Sequence, residues 1–254
     1  MNIEYILPLV TFWHTITSQI TTYTPPEITN NIVCFIHCIS FIAHYNYNYN
    51  MNYIVHASIA FFIYDLLYIM RRIFVFYRHK RDHREDPHPH QHPHQHPHQH
   101  KQTHKDELNK QLPFIVHHLA GIHILYSTIT ITNGHFILDA FLILEKSNIM
   151  IYVSYYLRKE YAEYKRANVM SEFVQLITYT YYRLFALSIF IYNHQAILFT
   201  YPFMTQLFIL LVYSMGYAWS YRLLMINIRN YFFIRTTAPQ LPATAASRKY
   251  SSAG

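Results

Sequence analysis

The 254-residue sequence contains little charge, little glycine and little cysteine. Charged residues make up 13% of it, whereas a soluble domain carries about 25%. With only four glycines it has no Gly-rich phosphate loop, and its two cysteines, Cys34 and Cys38, exclude a disulfide framework. Their spacing places both on one face of a helix, where we expect them to pack. The amino terminus lacks the basic region of a cleaved signal peptide, so we expect its apolar run to be retained.

Hydrophobic residues make up 52% of the sequence and are concentrated in long runs. Seven runs have helical length, at about 3–20, 32–45, 53–70, 112–132, 136–157, 171–192 and 200–228. A helix needs about 20 apolar residues to cross a bilayer. The runs therefore predict an all-α, multi-pass transmembrane helical bundle with six to seven spans. The first run is the least secure because it contains several polar residues, and the second is short unless it extends into the tyrosine-asparagine repeat at 45–53, which otherwise resembles a loop.

This pattern divides the chain into three parts. Residues 1–27 are predicted to be an N-terminal transmembrane segment, 28–233 the main membrane domain, and 234–254 a disordered tail. Within the membrane domain, 79–106 is a loop of alternating His, Pro and Gln, whose prolines exclude a regular helix. We interpret this tract as a solvated, repeat-expanded linker, and the alternative is that its imidazoles bind zinc or nickel.

The positions of Lys and Arg predict the topology. Of the twenty, nine lie between Arg71 and Lys110, four between Arg158 and Arg166, and five from Arg222 onward. The loops at 46–52, 133–135 and 193–199 contain none. The positive-inside rule makes the basic segments cytosolic. The net charge of +7 is confined to these segments, so we predict no nucleic-acid partner.

The first set of candidate functional residues comprises Asp65, His117 and His118, which lie inside the third and fourth runs. Counted from the basic ends, all three are roughly 8–9 Å below the predicted membrane boundary. Ionisable groups at that depth usually face a protein-lined interior. We expect the three to meet in one cavity, where Asp65 orients an imidazole that acts as base or nucleophile. The alternative is a pair of neutral, hydrogen-bonded interior histidines.

A second set of polar residues is predicted nearer the membrane centre. Glu145, Asn148 and Tyr152 share a face of the fifth run, and Arg183 lies near the middle of the sixth. Opposite charges at that depth are costly unless they are paired. We therefore expect Glu145 to contact Arg183, either to fix the helix register or to take part in lipid binding. For Gly121, close helix packing is the preferred interpretation, and room for an acyl chain the alternative.

Four segments together resemble the TLC-domain family, which includes the ceramide synthases. They are FFIYDLLYIM at 61–70, FIVHHLAGIHILY at 114–126, LILEKS at 142–147 and NVMSEFVQLITYTYYR at 168–183. The resemblance covers about 28–233 and implies a helical bundle around a lipid-accessible cavity. It also implies roles for Tyr64 and Asp65, His117 and His118, Glu145 and Ser147, and Asn168 and Arg183.

The chain departs from the ceramide synthases at one informative point. Their acidic His-Asp-x-x-Asp cluster is reduced here to His135 followed by Phe136, with Asp139 nearby. The chain is therefore more similar to the small, non-synthase members of the family. This resemblance implies binding, transport or sensing of membrane lipids, with effects on membrane lipid composition, in the endoplasmic reticulum or a related internal membrane. The alternative is a lipid N-acyltransferase that uses acyl-CoA as co-substrate; neither function requires a resident cofactor or metal, and fold alone does not distinguish them.

Overall fold

The computed structural model describes residues 3–47, 50–82 and 104–237, and every secondary-structure element within them is helical. The helices are α1 (Ile3–Thr21), α2 (Pro26–Tyr47), α3 (Met51–Asp82), α4 (His104–Thr130), α5 (His135–Glu160), α6 (Lys165–Thr180), α7 (Leu187–Leu198) and α8 (Phe203–Thr237). A π-helical turn, Tyr181–Ala186, joins α6 to α7 without a break. The predicted all-α class is confirmed. Helices α3 and α4 extend into the two ends of the loop predicted at 79–106, and α8 extends into the tail predicted at 234–254 as far as Thr237. The rest of the loop and of the tail lies outside the described residues, so the predictions made for them stay predictions.

Five helical stretches are long and apolar enough to cross a membrane. They are Pro26–Tyr47, Met51–Val75, Gln111–Thr130, Lys165–Leu198 and Phe203–Asn230. Helices α1 and α5 are not among them, and α5 carries Asp139, Glu145 and Lys146 within its apolar run. The chain is thus a helical bundle with five candidate spans. The finer expectation of six to seven spans stays a prediction.

Proline and glycine set several of the helix boundaries. Pro26 is the first residue of α2, where its missing N–H removes no helical hydrogen bond. The turn between α4 and α5 contains Asn133, whose φ is 63°. The next residue is Gly134, where an added Cβ would lie 2.0 Å from the carbonyl oxygen of Thr128. Only glycine allows this close approach of the backbone.

The loop predicted at 45–53 is shorter than expected. Helix α2 continues to Tyr47 and α3 begins at Met51, so the second run does extend into the tyrosine-asparagine repeat. The repeat lacks proline and glycine, and both of its ends continue apolar helices that pack into the bundle. Local composition was therefore a poor guide to the helix boundaries here.

The bundle core lies around α3, α4 and α5. Val55, Ile59, Leu125 and Leu138 are fully buried there, and α5 packs against α2, α3, α4, α6 and α7. The outer faces are also apolar, and large side chains such as Phe185 stay exposed. An apolar exterior around a core that contains polar groups is the arrangement expected in lipid.

Polar contacts tie four helices together at one end of the bundle. Lys159 Nζ lies 3.1 Å from Glu27 Oε2, and Arg158 lies 3.3 Å from Glu172 Oε1. Asn230 Nδ2 donates a hydrogen bond of 2.6 Å to Glu172 Oε2. We call this end the basic end, defined by Arg72, Arg158, Lys159, Lys165 and Arg166.

Candidate functional site

The main cavity of the bundle has a volume of about 520 Å³ and extends inward from the basic end. Helices α2, α3, α4, α5, α6 and α8 and the π-helical turn form its walls. All seven candidate residues named from the sequence line it, namely Asp65, His117, His118, Glu145, Asn148, Tyr152 and Arg183. The structure thus places both predicted sets in the lining of one cavity. Their chemical roles stay predictions.

Asp65 and His118 form a buried pair on one wall. His118 Nε2 lies 2.7 Å from Asp65 Oδ2, and its Nδ1 lies 2.6 Å from the backbone oxygen of Phe114. Both side chains are nearly inaccessible, with residue exposures of 6%. Since a carboxylate and a carbonyl are both acceptors, the ring donates to both only when both nitrogens are protonated. In that state His118 has no free lone pair, and the carboxylate of Asp65 balances its charge.

His117 occupies a different environment although it is the next residue. A rotation of about 100° per residue turns it away from the Asp65 contact, and it lines the cavity half-buried. Its ring centroid lies 5.6 Å from that of His118 and 6.2 Å from that of Phe62. Within the described part of the chain, no hydrogen bond engages its nitrogens. Of the two histidines, His117 is therefore the one able to act on a molecule in the cavity.

The predicted direct contact between Glu145 and Arg183 is wrong. Arg183 Nε donates to Ser147 Oγ at 2.8 Å, and its terminal nitrogen donates to Asn148 Oδ1 at 3.1 Å. Asn148 Nδ2 then lies 3.5 Å from Glu145 Oε2. The helical spacing of Glu145 and Asn148 places the amide between the two charges. The guanidinium is thus held by neutral partners, with its counter-charge one side chain further away.

A local departure from α-helical geometry presents Arg183 to the cavity. It lies in the π-helical turn, where the N–H of Leu187 bonds to the carbonyl of Tyr182 five residues earlier. The guanidinium carbon lies 5.2 Å from the centre of the Tyr179 ring, a cation–π contact. On the facing helix α8, a Cβ at Gly216 would lie 3.5 Å from Arg183 Cδ. Isolated π-helical turns occur frequently at functional sites.

Gly121 and Asn168 do not contribute to the cavity. A Cβ at Gly121 would lie 3.3 Å from the Phe62 ring, which supports helix packing rather than an acyl-chain passage. Asn168 donates to the backbone oxygen of Tyr161 and is not part of the cavity lining. Three of the residues implied by the family resemblance are absent from the cavity lining, namely Tyr64, Ser147 and Asn168. Of these three, Ser147 contacts Arg183 directly.

Sequence reasoning missed His37 and Asn31 of α2. His37 lines the cavity and is 4% exposed, and Asn31 Nδ2 donates to the backbone oxygen of Tyr152 at 2.9 Å. The available signal was a histidine inside the second apolar run, the same signal that identified His117. Among the described residues, no group of three or more His, Cys, Asp or Glu side chains could hold a metal ion.

Comparisons with protein-family models, curated proteins and solved structures find no match.

Proposed function

We propose that this chain is an integral membrane protein that binds a membrane lipid and transports or senses it, with the polar end of the lipid in the main cavity. The main support for this proposal is a cavity of about 520 Å³, which charged groups line inside an apolar bundle. Sites for small molecules usually measure about 300–1,000 Å³, so this volume suits a headgroup and the first part of its chains. The family resemblance supports the same lipid chemistry and a location in the endoplasmic reticulum or a related internal membrane.

The donors in the cavity favour a headgroup with oxygen acceptors. A guanidinium has five N–H donors, and Arg183 uses its Nε and one terminal nitrogen on Ser147 and Asn148. The remaining donors are available to a phosphate, carboxylate or hydroxyl oxygen. Buried charges that are not directly paired are costly in a membrane and are usually functional. A bound headgroup would supply the second partner for Arg183.

A second candidate function is transfer of an acyl group from acyl-CoA to a lipid amine. It is favoured by His117, whose imidazole is next to the Asp65–His118 pair and lines the cavity. A neutral imidazole can accept the proton of an attacking amine. The basic end would admit the negatively charged CoA, since Arg72 lies in the cavity lining there. In this mechanism Asp65 and His118 position His117 and stabilise the positive charge that it gains with the proton.

Lipid binding is tested by mass spectrometry of the purified protein in nanodiscs of defined composition. We expect wild type to retain a lipid through purification and Arg183→Gln to lose it, because glutamine removes the cation and most of the donors. Arg222→Gln is the matched control, since Arg222 is exposed outside the cavity. Equal lipid retention by the wild type and Arg183→Gln would contradict the proposed site.

The two functions are separated by incubating the same preparation with an acyl-CoA and a long-chain amine. If the protein transfers acyl groups, His117→Ala abolishes product formation while the retained lipid and the folding are unchanged. If it only binds lipid, no product forms with the wild type either. The exposed His14 of α1 supplies the control variant His14→Ala.

A further inference from the structure

A second pocket lies between α1, α2 and α3, in the half of the bundle away from the basic end. Its volume is about 120 Å³. Ser40, His44, Tyr53 and Ser58 supply its polar atoms, and Phe12 and Trp13 supply part of its apolar wall. His44 and Tyr53 lie near the ends of α2 and α3 that face away from the basic end. A cavity of about 10–15 Å³ already accommodates one water molecule, so this pocket has room for several.

His37 lines both this pocket and the main cavity. It is 4% exposed, and its Nε2 is a buried nitrogen without a hydrogen-bond partner in the described part of the chain. The ring stacks on Phe61 with centroids 3.9 Å apart and lies edge-on to Trp13. Buried polar atoms without partners are rare in proteins and require an explanation.

We propose that His37 relays protons between the second pocket and the main cavity, which makes the bundle a proton path from one end to the other. Chains of His and acidic side chains with waters serve this purpose in membrane proteins. Here the hydroxyls of Ser40 and Ser58 lie on one side of His37, and Asp65 and His118 line the cavity on the other. This inference does not depend on lipid binding.

The transfer balances at the imidazole. A neutral ring accepts a proton at the nitrogen that lacks one and releases the proton of its other nitrogen to the opposite pocket. One positive charge has then crossed, no electron has moved, and the ring is neutral in its other tautomer. Rotation about the Cβ–Cγ bond then exchanges the sides of the two nitrogens, so that the unprotonated one again faces the first pocket. Because the stacking on Phe61 opposes that rotation, we expect slow, leak-like transport.

Ionisable groups on the neighbouring helices lie on both sides of His37. The main cavity brings Asp65 of α3, His118 of α4, and Glu145 of α5 to the side of His37 toward the basic end. His44 of α2 and Tyr53 of α3 lie on the other side. Helix α1 contributes Trp13, which carries no titrating proton near neutral pH. Asp65 is paired with His118, and Arg183 offsets Glu145, so the side chains of the main cavity leave no excess positive charge to repel an arriving proton.

The test uses the full chain in liposomes that contain a pH-sensitive dye, with an inward proton gradient and valinomycin to dissipate the membrane potential. We expect wild type to acidify the lumen faster than protein-free liposomes. His37→Phe preserves an aromatic ring against Phe61 but removes both nitrogens, so we expect it to reduce the rate to that of protein-free liposomes. His14→Phe, at an exposed position of α1, should keep the wild-type rate.

A second variant separates a blocked path from a misfolded protein. Ser58→Ala removes the hydroxyl from the pocket without adding bulk and should also reduce proton flux, and both variants should retain wild-type unfolding midpoints in detergent. Wild-type flux equal to that of protein-free liposomes would overturn the proposal. So would undiminished flux through folded His37→Phe. Loss of lipid retention in Arg183→Gln with unchanged flux would show that the two functions are separate.

Discussion

The buried pair between Asp65 and His118 makes a sharp prediction about stability. Replacing Asp65 with leucine removes the acceptor of His118 Nε2, which lies 2.7 Å from the carboxylate. The ring keeps only its contact with the carbonyl of Phe114. Its low exposure of 6% leaves little access to bulk solvent. We therefore expect the variant to lose the contact and to leave a poorly solvated imidazole.

Two reference values bound the size of the loss. Hydrogen bonds between transmembrane helices contribute about 0.6 kcal/mol on average and about 1.7 kcal/mol at most. Removing one partner of a buried ion pair costs about 3–5 kcal/mol. Asp65 and His118 belong to the second class because both are ionisable and buried. Because the orphaned imidazole can become neutral by releasing a proton, we expect the lower limit, about 3 kcal/mol.

The assay is a double-mutant cycle of Asp65→Leu and His118→Leu, with unfolding measured in mixed micelles as the fraction of denaturing detergent is raised. Because the double variant orphans neither partner, its loss of unfolding free energy should be smaller than the sum of the single losses by about 2–3 kcal/mol. His14→Leu, outside the cavity, serves as control. Additive single losses would refute the interpretation of a coupled pair.

Three further predictions concern other parts of the bundle. Tags in the loop between α3 and α4 and after α8 should both be accessible to protease on the cytosolic side of sealed vesicles, and protection of either would contradict the topology. The exchange of Glu145→Arg with Arg183→Glu should not restore the unfolding midpoint lost in Arg183→Glu alone, because Asn148 lies between the two positions; full recovery would indicate a direct pair. Gly216→Ala should shift the midpoint little, since its Cβ would lie at an ordinary contact distance of 3.5 Å from Arg183, whereas Gly216→Leu should displace the guanidinium and lower lipid retention in the nanodisc assay.

The sequence by itself determined the helical class, the five candidate spans and the seven candidate residues that line the main cavity. Long apolar runs leave few alternatives to helices, because every backbone polar group in lipid must be satisfied within its own segment. Ionisable residues such as Asp65 and Arg183 were recognisable for a related reason. Their cost at membrane depth means that they face the protein interior, and the main cavity contains both.

Only the tertiary structure decided which of these residues touch. Depth along a helix follows from counting residues, but rotation about the helix axis and the distances between helices depend on packing throughout the bundle. Their similar depth predicted that Glu145 contacts Arg183, whereas in the structure Asn148 lies between them. In the same way, the rotation of α4 about its axis places His118 against Asp65 and leaves His117 facing the cavity. The π-helical turn at Arg183 and the position of His37 between two pockets are likewise features that local sequence patterns did not indicate.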